Sequence, residues 1–157
     1  MLDRAADVTS AIALLQRYNV DFGLYPVHYL LADRSGDAAV VEFIDGEVVT
    51  VRGPEPWQVS ANFLLSDYHE GGLRLGDIPE RAPDWDGYWR YKAVYQSLAE
   101  TDGRVSSEEA MRLLTNIYNS TQWSVVYDLV SGEFKLTLGG DLEMIHAFRL
   151  KEHADAQ

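Results

Sequence analysis

Hydrophobic residues recur along the chain at two spacings, one typical of helices and the other typical of strands. The helical spacing predicts helices over residues 7–18, over 89–99, and from Ser106 to about residue 118. Asp7 or Thr9 can cap the first helix. Ser106 and Glu109 have the spacing of a capping box, which marks the start of the third helix.

Apolar runs of strand length occupy most of the remaining chain. Strands are predicted over residues 27–32, 38–44, 47–52, 57–65, 122–129, 134–138 and 143–150. Asp45-Gly46 has the composition of a two-residue hairpin turn, and longer turns are expected at residues 33–37 and 130–133. Strands joined by such short turns pair antiparallel, because a parallel crossover needs roughly a dozen residues.

The order of these elements predicts an α+β fold, with helices packed on antiparallel sheets. The sequence of residues 29–44 is apolar on both strand faces in places, which is typical of a sheet covered on both sides. Residues 1–157 are expected to form a single domain, although they offer little material to cover both faces. The Gly- and Pro-rich stretch 66–88 is too long for a plain connector, and such loops are usually functional or mobile.

The chain is acidic and contains no cysteine. Its 13 Lys and Arg against 25 Asp and Glu give a net charge of −12, which disfavours binding to nucleic acid or to anionic membranes. Without cysteine, these residues cannot form a disulfide, a thiolate zinc site, an iron–sulfur cluster or a thiol nucleophile. No apolar run approaches the roughly 20 residues of a membrane span, and no signal peptide is visible, so a cytoplasmic location is the default expectation.

Motifs for metals, phosphates and serine nucleophiles are weak or missing. The four histidines are not spaced as ligand pairs and are interpreted as structural or surface residues. They are His28, His69, His146 and His153. Residues 100–109 resemble a calcium loop, but Leu98 would take its first ligand position and cannot coordinate calcium. Residues 71–76 lack the ending of a phosphate loop, and no GxSxG occurs, so neither a metal nor a cofactor is expected.

Two polar residues stand out from apolar surroundings. Asn62 lies inside the predicted strand 57–65, where a buried amide must be hydrogen-bonded; it either bonds a neighbouring loop or points a donor into a site. Arg90 lies among aromatic residues at a helix start, where a guanidinium can stack on a ring or bind a carboxylate. The nearby aromatic residues are interpreted as core, with the lining of an apolar pocket as the alternative. They are Trp85, Tyr88 and Trp89.

Several segments occur in the order and spacing of a known family. They are HYLLADRSGDAAVVEFI (28–44) followed by Asp45-Gly46, PWQVSANF (56–63), WRYKAVYQSL (89–98), SSEEAMRLL (106–114) and STQWSVVYDLVSGEFKLTLG (120–139). Each segment alone is weak. The ordered set resembles the choloylglycine hydrolase and penicillin V acylase family of N-terminal-nucleophile hydrolases, specifically the C-terminal half of its domain, from about residue 8 to residue 150.

The resemblance implies a fold and a reaction. The fold is a four-layer αββα sandwich, in which two antiparallel sheets pack between helix layers, and this chain would supply part of it. The reaction is cleavage of a non-peptide linear amide C–N bond. Substrates in such families are bile-salt conjugates, penicillin V, N-acyl amino-acid-like amides or quorum-sensing lactones, and related enzymes pass the acyl group to an amine instead of water.

The resemblance also implies roles for two residues. In these enzymes the nucleophile is a cysteine at the processed N-terminus, and its α-amine, with a pKa of about 7.7–8.0, acts as the base. Asn62 matches the asparagine that helps hold the tetrahedral intermediate, although Ala61 replaces the family's threonine. Arg90 matches the arginine near the nucleophile.

The chain departs from the family because its nucleophile is missing. It has no cysteine, and removal of Met1 would expose Leu2. The coding sequence is therefore incomplete, or the chain is one subunit of a pair, or it is a relic that acts as a binding or scaffold module. The expected partners are a small-molecule amide, a nucleophile-bearing half or subunit, and further copies of the chain, since open sheet edges recruit other strands; neither nucleic acid nor a membrane is expected.

Overall fold

The computed structural model describes residues 4–18, 20, 27–66, 87–117 and 121–150. The chain divides into two compact units, Met1–Gly103 and Arg104–Gln157. Within the described residues, each unit combines helix with one three-stranded antiparallel sheet. This confirms the α+β class. The single domain predicted over residues 1–157 stays a prediction.

The sheet of the first unit is a meander of three strands. They are β1 (Tyr29–Ala32), β2 (Ala38–Ile44) and β3 (Glu47–Val51), in that spatial order. The predicted turn between β2 and β3 is confirmed, because Asp45 and Gly46 have φ values of 51° and 83°. Two successive left-handed residues match the right-handed twist of the flanking strands, which is why Asp-Gly favours this hairpin.

The central strand β2 is buried on both faces, as its apolar sequence predicts. On one face, Val40 packs with Val51 of β3 and with Tyr91 in a core cluster. Ala39 and Val41 point to the other face, because side chains alternate along a strand, and they are also fully buried. The helix α1 (Val8–Leu15) contacts β1 and β2.

Helix α1 is fixed to the β1–β2 turn by its first backbone N–H groups. Asp7 caps the helix and forms a capping box with Ser10, whose N–H donates to Asp7 Oδ1 at 2.7 Å. The Val8 N–H donates to Asp33 Oδ2 at 2.9 Å, which ties the helix to the turn. The hydroxyl and N–H of Ser35 donate to Asp33 Oδ1, and these bonds lower the pKa of Asp33 to about 2.

The helix α2 (Gly87–Glu100) packs on the face of this sheet that carries Val40 and Val51. Its residues at positions 91, 94, 95 and 98 join the core cluster and form one helical stripe. The helix ends with the Gly103 N–H donating to the Leu98 carbonyl at 2.8 Å, and Gly103 has a φ of 71°. A Cβ on Gly103 would lie 2.7 Å from Trp57 Cε3, so the ring needs glycine at this position.

The strand predicted over residues 57–65 is wrong. This segment contains no strand, and helical backbone begins at Leu65 and Ser66. Val59 and Leu65 are buried in the core cluster, so the apolar run covers the sheet instead of extending it. The carboxylate of Glu42, fully buried in β2, accepts hydrogen bonds from the N–H groups of Leu65 and Ser66. Those N–H groups are therefore bonded to a side chain rather than to a neighbouring strand.

The second unit consists of one helix and a second meander. Its elements are α3 (Ser107–Asn116), β4 (Trp123–Tyr127), β5 (Glu133–Leu138) and β6 (His146–Arg149). The predicted capping box is confirmed, because the Glu109 N–H donates to Ser106 Oγ and the Ser106 N–H donates to Glu109 Oε2. Helix α3 contacts β4, and its Met111 is fully buried.

Several predicted boundaries differ from the structure. The strands predicted over residues 27–32, 122–129 and 143–150 are shorter, because hydrogen-bonded pairing begins or ends within each apolar run. Helix α3 ends at Asn116, and residue 118 lies outside the described residues. Most of the long loop predicted over residues 66–88 also lies outside them, while Gly87 and Tyr88 belong to α2.

The Glu42 carboxylate gives a test of this packing. We expect Glu42→Gln to lower the free energy of unfolding by about 1–3 kcal/mol, because the amide group presents a donor to one of two buried N–H groups. Chemical denaturation measures this change. Glu47→Gln, at an exposed position of β3, is the control and should stay within about 0.5 kcal/mol of wild type. Equal effects of the two substitutions would contradict the capping role of Glu42.

The pKa of Asp33 predicts a loss of stability in acid. Folding lowers this pKa from 3.8 to about 2, so the stabilisation is complete above pH 3.8 and is lost as the pH falls through 2. Denaturation curves between pH 5 and about pH 2 should fall more steeply for wild type than for Asp33→Asn. Asp45→Asn, in the exposed β2–β3 turn, is the matched control for the removal of one carboxylate. An unchanged slope in Asp33→Asn would refute the linkage.

Candidate functional site

Asn62 lies at the tip of a tight turn rather than inside a strand. The Phe63 N–H donates to the Ala61 carbonyl at 2.8 Å, which closes a three-residue γ-turn around Asn62. Its φ is not among the positive values of the described residues, so the turn is of the inverse type, which carries little strain. Asn62 is exposed, and its amide forms no side-chain hydrogen bond within the described residues. The predicted burial of the Asn62 side chain is therefore wrong, and its role in a site stays a prediction.

The first residue of α2 lies directly against this turn. A Cβ added to Gly87 would stand 3.2 Å from the Asn62 nitrogen and 3.4 Å from the Asn62 Cβ. Glycine therefore permits an approach that a larger residue would resist. Arg90 lies in the same first turn of α2, and its Nε is buried. The structure thus brings together the two segments that carry Asn62 and Arg90.

Aromatic stacking holds the turn against α2. The ring of Phe63 stacks on Tyr88 with centroids 4.2 Å apart and meets Tyr91 edge to face at 5.4 Å. Each such pair contributes about 0.5–1.5 kcal/mol beyond the area it buries. Tyr88 is 38% exposed, so its side chain is neither fully buried nor fully exposed. Trp89 is half-buried in α2, and Trp85 lies outside the described residues.

The side chain of Asn62 lines an open cleft of about 560 Å³. The turn residues 60–64 line it together with Val27 and the half-buried His28. The sequence predicts His28 within the strand over residues 27–32, whereas it directly precedes β1, and nothing in its sequence context indicates that it lines the same cleft as Asn62. A pairing of residues so far apart in sequence becomes visible only when the chain is folded.

The start of α2 contributes to the electrostatic character of the region around Asn62. The first turns of a helix leave backbone N–H groups without intrahelical partners and carry a partial positive charge. The first turn of α2 contains no acidic residue and includes Arg90. The exposed Asn62 amide can donate a hydrogen bond, and a helix start carries partial positive charge; both suit an oxygen that gains negative charge during a reaction.

The described residues contain neither a group of metal-ligating side chains nor a helix that could cross a bilayer. Compared with protein-family models, curated proteins and solved structures, the chain shows no match.

Gly87→Ala tests the close approach of α2 to Asn62. Alanine would normally stabilise a helix by about 0.8–1.0 kcal/mol over glycine. Here we expect a loss of about 1–3 kcal/mol in unfolding free energy, because the added methyl group presses on backbone atoms. Gly53→Ala is the control, since its Cβ would meet its nearest atom at 3.8 Å. Stabilisation by Gly87→Ala in thermal and chemical denaturation would show that the approach is looser than described.

Proposed function

We propose that the chain is the C-terminal part of a hydrolase that cleaves non-peptide linear amide bonds, with an N-terminal cysteine supplied from outside these residues. The observation that carries the proposal is the exposed Asn62 amide, which lines a cleft beside the first turn of the helix that carries Arg90. These are the two residues for which the family resemblance implies a catalytic role. The α+β architecture, with antiparallel sheets and helices packed on them, is compatible with part of an αββα sandwich.

Each residue would have a distinct role in the reaction. The α-amine takes the proton of the cysteine thiol, and the sulfur attacks the amide carbonyl carbon to form a C–S bond. The tetrahedral intermediate carries a negative oxygen, to which the Asn62 amide donates a hydrogen bond. Collapse of the intermediate breaks the C–N bond, and the leaving amine takes the proton. Water then hydrolyses the thioester and releases the carboxylic acid.

Arg90 would act through its fixed charge. A guanidinium remains protonated at any working pH and presents donors in a planar fork. Its Nε is buried, so part of the guanidinium lies out of solvent. It would position the substrate or nucleophile, and it would favour the ionised thiol by its positive charge.

The first experiment identifies the nucleophile. Either the reading frame upstream of the Met1 codon or a neighbouring gene should encode a half-domain whose processed chain begins with cysteine. That half, produced together with this chain, should release the amine from penicillin V, a glycine-conjugated bile acid or an N-acyl amino acid. Added acceptor amine distinguishes hydrolysis from acyl transfer, because transfer yields a new amide. A co-purifying complex with no turnover of any such amide would refute the proposal.

In the active complex, Asn62→Ala should lower kcat by about 100- to 1000-fold, because one oxyanion donor is lost. Its unfolding free energy should change by less than about 0.5 kcal/mol, since the side chain is exposed. Asn116→Ala, at the exposed end of α3, is the control and should keep full activity. Equal turnover in the two variants would remove Asn62 from the site.

Replacement of Arg90 should separate charge from geometry. Arg90→Lys keeps the charge but loses the planar fork, so we expect it to retain part of the activity that Arg90→Met abolishes. The pH dependence of turnover should shift to higher pH in Arg90→Met, because loss of the charge raises the pKa of the neighbouring thiol. Arg112→Met on α3 is the control. If Arg90→Met lowers only the melting temperature and leaves kcat unchanged, the residue is structural.

A further inference from the structure

One face of the second sheet carries a continuous apolar surface. Its cross-strand rows follow from the register: Trp123 with Leu138, Val125 with Leu136 and His146, and Tyr127 with Phe134 and Phe148. The third row is a ladder of rings, because Phe134 lies 5.2 Å from Tyr127 and 5.1 Å from Phe148 between centroids. We call these eight residues the aromatic face.

The opposite face of the same sheet is covered. Ser124 and Thr137 point away from the aromatic face and are buried. Lys135 reaches α3, where its Nζ donates to Ser107 Oγ at 2.8 Å and pairs with Glu108. Helix α3 therefore covers this side of the sheet over β4 and β5, while Ala147 and Arg149 of β6 stay exposed there.

The exposure of the aromatic face is large for a folded protein. Trp123 is 62% exposed, Leu138 60%, Tyr127 54% and Phe148 50%. Because an aromatic side chain can bury about 150–250 Å², these four residues alone leave on the order of 400–500 Å² of apolar area in water. The largest apolar patch on a typical monomer covers about 300–600 Å² and is often functional, so the aromatic face has the size of a patch that binds a partner.

We propose that the aromatic face is the interface of a homodimer, in which the faces of two copies pack against each other. A sheet face is self-complementary, because two like sheets pack about 10 Å apart with interdigitating side chains. The four most exposed residues supply about half of the roughly 800 Å² per partner of a standard interface, and the other four residues of the aromatic face add to that area. Such an arrangement closes with twofold symmetry, so it gives a dimer rather than a filament.

The charge distribution supports a copy of the chain as the occupant. No residue of the aromatic face is acidic or basic apart from His146, although the whole chain carries a net charge of −12. Two copies can therefore meet there without like charges in direct opposition, while their remaining charges repel only through solvent. The C-terminal residues 151–157 are mostly polar or charged and lack the large apolar side chains that would cover such a face.

Sedimentation velocity of the full chain tests the dimer. We expect a concentration-dependent dimer that strengthens with salt, because screening weakens the repulsion between two acidic chains. Phe148→Lys should raise the dissociation constant at least tenfold, and Leu114→Lys, on the exposed side of α3, should leave it unchanged. A monomer at all soluble concentrations, or open-ended aggregation without a dimer plateau, would overturn the proposal.

A second measurement is independent of the folding of the lysine variant. Because the chain lacks cysteine, His146→Cys places a single thiol on the aromatic face. Oxidation should link two copies through this thiol, and it should not link Glu100→Cys, whose thiol would lie at the exposed end of α2. Equal cross-linking of both variants would refute the homodimer. So would a one-to-one complex in which a polypeptide that begins with cysteine, and no second copy of this chain, covers the aromatic face. The inference does not depend on the proposed function, since the dimer is measured without any activity.

Discussion

The buried carboxylate of Glu42 is the constraint on which the first unit depends. A carboxylate without solvent must be satisfied by donors, and the donors here are the N–H groups of Leu65 and Ser66. These bonds fix the end of the segment that covers the sheet. The start of the same segment is fixed by Trp57 against Gly103. Between two anchored ends, the chain can hold a γ-turn at Asn62 with its side chain directed outward.

The hydrophobic pattern identified the elements whose partners are adjacent in sequence. Strand β2 matches its predicted bounds because the Asp45-Gly46 turn brings β3 alongside it to form an antiparallel pair. Residues 57–65 are equally apolar but have no adjacent turn that supplies a strand, and their end is bonded by a side chain distant in sequence. An apolar run indicates burial. Whether it becomes a strand depends on where its N–H groups find acceptors.

The candidate site was predictable in part. The position of Arg90 at a helix start follows from local sequence, and the structure agrees. The setting of Asn62 was not predictable, because residues 57–65 do not form the predicted strand. In that strand the Asn62 amide would be buried, whereas in the observed turn it is exposed. The approach of Gly87 to Asn62 and the cleft shared with His28 depend on distant segments. Periodicity carries no information about such contacts.

The two sheets show how the same meander can lead to different requirements. The first sheet has an apolar central strand that is buried on both faces, whereas the second has one face under α3 and one face in water. An open apolar face raises the free energy of the isolated chain in water. A surface that covers this face lowers the free energy of the resulting complex. The candidate catalytic residues belong to the first unit and the aromatic face to the second. Substitutions at the candidate site and in the aromatic face therefore fall in different units, so turnover can be measured in the complex with the cysteine-bearing half and self-association in this chain alone.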